Sequence, residues 1–319
     1  MPNLTATAAS RISSYTLVGI LLLFAVNMLY AIKDVIAGNL LSGDTSVMSI
    51  MFIVFLIAVI SFSAVDLVQN GLRRKPTKHP ARIGDLALLN LATASSWWGY
   101  FYSLKFIEPA VAGAFIGGLV ILLAWALNLV FRKGAPSSQN DLWTTMAIFL
   151  LGGLLMYLSL DGQSAVSNRM TRAETMHGFF GALVCAIGIS ATTIHLKRLF
   201  DKGADSARLL SRRFYLVVAI SGVLAIGNGD LMRISMSDLV VIAAISVFCI
   251  VVALYALQEG IRRCEPVLVE AIHAALPIFT LFFQFFDPRL ETSVSSWIFV
   301  GLISLIAVQN CHHHVTRSL

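Results

Sequence analysis

Charge is scarce in this chain. Only 13% of the 319 residues are Asp, Glu, Lys or Arg, while 57% are hydrophobic; soluble domains carry roughly a quarter charged residues. No water-soluble fold hides that much apolar surface, which leaves the bilayer as solvent. Cysteine is also sparse, and Cys185, Cys249, Cys264 and Cys311 form no CxxC pair. Most fall inside apolar runs, as buried free thiols do, so neither disulfides nor a metal site is expected. Enzyme signatures are missing: there is no HExxH, GxSxG or Walker loop, and "GNGD" (Gly227–Asp230) lies at a helix end without phosphate-loop context. No catalysis or cofactor is expected, and without a nucleotide site the chain is no primary pump. The opening "MPNLTATAASRISSY" has no basic stretch followed by a cleavage site, so the first apolar run is expected to stay in the mature chain.

What is present is a series of apolar runs of the length that crosses lipid, about 20 residues each. Ten can be read: 14–36, 46–69, 86–106, 109–131, 143–160, 178–197, 213–229, 238–257, 265–286 and 294–311. The fold class predicted is therefore all-α, a polytopic membrane protein of ten transmembrane helices. The links 70–85, 161–177 and 197–213 are the longest, and none is long enough to fold alone. Function must lie in or across the membrane. The net charge of +6 comes from short basic clusters between apolar runs, a mark of topology rather than of nucleic-acid binding. Placing the N-terminus inside puts 17 of the 23 Lys and Arg on the cytoplasmic side, including Arg212 and Arg213. Both termini are then cytoplasmic, in a bacterial inner membrane.

An internal repeat is visible at an offset of 157 residues, which aligns Glu108–Pro109 with Glu265–Pro266. Lys105 then meets Arg262, Leu104 meets Ile261, and Ala114 meets Ala271. An aromatic-rich run precedes each copy, "WWGYFYSL" and "VVALYAL". Five spans separate the copies, and an odd number forces opposite orientation, as in many secondary transporters. The repeats predicted are 14–160 and 178–311. With "FAVNMLYAIK" (Phe24–Lys33) in the opening helix, this pattern resembles the EamA domains of the drug/metabolite transporter superfamily. The resemblance covers nearly the whole chain and implies an exporter or exchanger of small metabolites. Its departures are Val120 where the second copy has Pro277, and a second span without the arginine many relatives carry near its start.

Polar groups in lipid cost free energy and usually face a cavity or a partner. Asn27, Tyr30 and Lys33 in span one, Tyr255 in span eight, and Glu270 and His273 in span nine are candidates for a substrate route. Lys33 near the outer end of its helix either snorkels to the interface or holds an anionic substrate group. Trp98 and Tyr102 share a helix face at i,i+4. That face either belongs to an interfacial belt or lines a pocket, stacking on a ring or a cationic headgroup. Glu270 and His273 share a face with Pro277, whose missing N–H frees the carbonyl of His273. Glu270 is either paired with a basic residue near the cytoplasmic surface or couples proton movement to substrate. Thr192 and Thr193 are candidates to bond their own helix, and "CHHH" (Cys311–His314) reads as a flexible basic end, since neighbouring helical positions cannot converge on one metal.

The expected function is secondary transport of a small polar metabolite by alternating access, with the bilayer as environment and a monomer or homodimer as the unit. From other classes, a membrane-embedded enzyme or lipid-processing accessory stands as the alternative, and a sensor or assembly partner as a third.

Overall fold

The computed structural model describes residues 14–41, 45–71, 82–131, 139–161, 170–273, 275–286 and 293–317. Among them there is no strand. The helices are α1 (Ser14–Leu41), α2 (Val47–Asp66), α3 (Ile83–Leu104), α4 (Pro109–Phe131), α5 (Gln139–Leu160), α6 (Arg172–Asp201) and α7 (Ser206–Arg212). They continue with α8 (Tyr215–Gly227), α9 (Met236–Ile245), α10 (Val252–Arg263), α11 (Pro266–His273), α12 (Leu276–Gln284) and α13 (Val294–Arg317). Among the described residues, six segments are long and apolar enough to cross a membrane: Ser14–Leu41, Val47–Gln69, Leu142–Leu160, Arg172–Asp201, Ser206–Gly227 and Met236–Arg263. Shorter apolar helices lie at Pro109–Leu123, Leu268–Gln284 and Val294–Ile306. Large apolar side chains cover the outside, Leu21, Ile226, Phe248 and Leu305 among them, each more than half exposed. In water such a surface would aggregate; against acyl chains it costs nothing.

Local chemistry sets the helix bounds where they depart from hydropathy. α6 starts at Arg172, ahead of the apolar run at 178, because Thr171 and Glu174 close a capping box: the Thr171 N–H donates to Glu174 Oε2 at 2.8 Å. α7 starts at Ser206 because the Asp205 carboxylate accepts from the Arg208 N–H at 3.1 Å. Seven residues assigned to the link 197–213 are therefore helical. α4 and α11 both open on proline at the first helical position, where a missing N–H costs nothing. The two starts match bond for bond: Ala112 N–H donates to Glu108 O at 2.8 Å and Val269 N–H to Glu265 O at 3.0 Å. Cys311–His314 continue α13 instead of forming a flexible end.

The ninth apolar run is two helices rather than one. Pro277 sits in the first turn of α12, and tight three-residue bonds at the break run from Ala275 N–H to Ile272 O and from Ile278 N–H to Ala275 O. Span eight is continuous but contains a π-helical stretch, Ser246–Val251, between α9 and α10.

Backbones approach most closely between α3 and α6. A methyl group at Gly99 would stand 2.5 Å from Gly181 O, and one at Gly188 would stand 2.5 Å from Ser96 N. Only glycine allows that fit. α6 also packs on α4, while α1 packs on α10, α11 and α12, and α5 on α13. Polar bonds gather at one end of the bundle. There Asp66 meets Arg208 at 3.8 Å, Ser206 Oγ donates to Glu259 Oε1 at 2.7 Å, Arg263 pairs with Glu259, and Asn90 Nδ2 donates to Arg212 O at 2.8 Å.

Candidate functional site

The helices converge on a cavity of about 120 Å³, counted as space open to the centres of water molecules. For scale, a cavity of roughly 150 Å³ lined by apolar side chains takes up benzene. Its walls come from α1, α3, α4, α6, α10, α11 and α12, with Arg213 entering at the break between α7 and α8.

α1 contributes Tyr30 and Lys33. The helix runs on to Leu41, so Lys33 does not reach an interface by snorkelling; its side chain is buried. The ammonium stands 2.7 Å from Asp34 Oδ1 and lies over the rings of Tyr100, Tyr30 and Trp97 at 4.2, 4.9 and 5.0 Å. Carboxylate and π faces together neutralise a cation that lipid would not accept.

α3 turns a different face to the cavity than the sequence suggested. Trp97 and Tyr100 line it, together with Ser96. Trp98 and Tyr102 do not: they stack on each other with centroids 5.0 Å apart, and Tyr102 meets Phe106 at 5.1 Å. The reason is packing. Trp97 sits against Phe55, Tyr30 and Phe101, so the α3 face carrying Trp97, Tyr100 and Phe101 is the buried one. Trp98, one residue on, is rotated about 100° away. Tyr255 is likewise excluded: Leu254, Leu257 and Ile261 form the cavity face of α10, and Tyr255 is 38% exposed on another face.

From α11 come Glu270 and His273. Glu270 is fully enclosed beside the Thr193 hydroxyl of α6. No basic residue among those described lies within ion-pair distance, which removes the surface-pair reading. His273 stacks on Tyr30 with centroids 6.3 Å apart. Asn27 stands behind this wall rather than on it. Its Nδ2 donates to Ile272 O at 2.7 Å and its Oδ1 lies 2.8 Å from His273 Nδ1. The residue thus satisfies a carbonyl at the end of the broken helix.

Thr192 and Thr193 of α6 line the cavity, while His195 turns away to Asp85 O at 3.0 Å. Arg213 is the group that hydropathy missed. Counted among the basic residues of a cytoplasmic link, it is buried on the cavity instead. The Asp205 cap was the signal: a helix starting at Ser206 carries Arg213 about 10 Å inward. Its Nε and Nη1 have no hydrogen-bond partner, and its guanidinium lies 4.9 Å from the Phe214 ring.

Four pairs of lining residues are related by the 157-residue offset: Trp97 and Leu254, Tyr100 and Leu257, Gly113 and Glu270, Ile116 and His273. The space is bare at Gly113 and ionisable at Glu270.

No protein-family model matches the chain, and no curated protein matches it in sequence. A solved structure described only as "Crystal structure of protein" superposes with a TM-score of 0.64 at 17% identity, over 94% of this chain and 98% of its own. That likeness shows a shared fold.

Proposed function

We propose that the chain is a secondary transporter, built as two inverted five-helix repeats of the EamA kind, that exports or exchanges a small polar metabolite through this cavity. The observation that carries the reading is the set of four offset-related pairs around one buried space. Neighbour relations support it too: α3 packs on α6 as α10 packs on α1, and α4 packs on α6 as α11 and α12 pack on α1. The matching starts of α4 and α11 add a third correspondence. Inverted repeats place a site at their interface near the midplane, and rocking one half on the other exposes it to each side in turn.

Within this reading the ten apolar runs are ten crossings, with both termini in the cytoplasm of a bacterial cell. Broken α11–α12 supplies irregular backbone next to the cavity, where water or solute rather than lipid meets it. Glu270 is the proton-coupling group. It is an enclosed carboxylate with no charged partner among the described residues and the Thr193 hydroxyl beside it, so a bound proton or solute has the most to offer its charge. Flux of labelled metabolites into proteoliposomes, with and without a pH gradient, tests the proposal. A vesicle population that moves none of them would end it.

A further inference from the structure

Buried donors without a partner gather in the cavity, which they share with the Glu270 carboxylate. Arg213 Nε and Nη1, Tyr30 Oη and Thr192 Oγ1 are buried, face the same space and have no hydrogen-bond partner among the described residues. Lys33 differs, because Asp34 and three aromatic rings already satisfy it. Leaving a guanidinium buried without an anion is costly, and folds tolerate that where a ligand completes the site.

We infer that Arg213 is the anion receptor of the cavity, and that the solute is a small carboxylate or phosphate ester with an apolar body. The inference deepens the transport reading and rests on it. The guanidinium fork donates to two oxygens at once, a geometry matched by carboxylate and phosphate but by no cation or neutral amide. Tyr30 and Thr192 donate to the remaining lone pairs. Trp97, Leu254 and Leu257 offer apolar surface to the body of the solute. Lys33 stays with Asp34 and holds the aromatic wall in place.

The test uses purified full-length protein in detergent, melted alone and with benzoate, phenyl phosphate, benzamide or benzylammonium. Benzoate and phenyl phosphate should raise the melting midpoint, and benzamide and benzylammonium should not. Arg213→Gln should bind benzoate about ten- to a hundredfold more weakly, with Arg213→Lys intermediate. Arg213→Gln should itself melt at or above the wild-type midpoint, since it removes an unpaired buried charge. If Arg213→Gln does not fold, Tyr30→Phe substitutes for it, and its loss of one donor should weaken benzoate severalfold. Equal binding of benzamide or benzylammonium would overturn the inference. So would anions without effect on the wild type, or unchanged benzoate affinity in the variant that folds. Anion binding without any flux in proteoliposomes would sink the transport reading and leave the anion site standing. Flux of cations alone would do the reverse.

Discussion

Asn27 and His273 are separated by 246 residues of chain, yet Oδ1 of one lies 2.8 Å from Nδ1 of the other. The same Asn27 side chain donates to Ile272 O, so α1 holds both the imidazole and the last turn of α11. Asn27→Leu keeps the volume and removes both bonds. Two buried polar groups would then be unpaired, at a cost of about 1–3 kcal/mol each. A clear drop in the melting midpoint of the detergent-solubilised protein is expected; an unchanged midpoint would mean the break does not depend on Asn27.

The α3–α6 contact gives a sharper stability test. Gly99→Ala puts a methyl 2.5 Å from Gly181 O and 2.6 Å from Cys185 N, both backbone atoms that cannot step aside. Overpacking of this kind costs about 1–3 kcal/mol. Gly153→Ala in α5 meets nothing within 4 Å and should be neutral or stabilising, because alanine favours helix. Equal midpoints for the two variants would contradict the close approach.

The two neighbouring tryptophans should separate in function. Trp97→Ala removes a cavity wall and a ring under Lys33, so flux should fall at least tenfold while folded protein is still recovered. Trp98→Ala removes a ring that stacks on Tyr102 and packs on the core without lining the cavity, and should leave flux near wild type. Flux measured per folded molecule decides; loss in Trp98→Ala with retention in Trp97→Ala would reverse the assigned face.

That pair also shows how far the sequence was legible. Runs of apolar residues marked the long helices, because lipid-length hydropathy depends on composition alone, but not α7, which lies in a segment assigned to a link. The Glu-Pro pairs located the starts of α4 and α11, because proline at a first turn is a local rule. Which face looks inward was hidden: α3 is apolar or aromatic nearly all round, and nothing local tells Trp97 from Trp98. Tertiary neighbours such as Phe55 make that choice. Lys33 was a candidate for the substrate route and lines the cavity, but its depth was hidden, as was the whole role of Arg213. Hydropathy places basic residues at span ends, and both sit inside because a carboxylate, aromatic rings or a cavity receives them. Glu270 and His273 were legible, since an acid and an imidazole three residues apart on an apolar helix have nowhere else to face.

The central claim is tested most directly by flux in proteoliposomes carrying wild type or Glu270→Gln, with an imposed pH gradient and without one. Gln keeps the shape of Glu270 and cannot carry the proton. The account predicts gradient-driven accumulation by the wild type, and in Glu270→Gln solute exchange that persists but no longer responds to the gradient. Full gradient-driven accumulation by Glu270→Gln would contradict Glu270 as the coupling group, and a wild type that moves no solute under either condition would contradict transport itself.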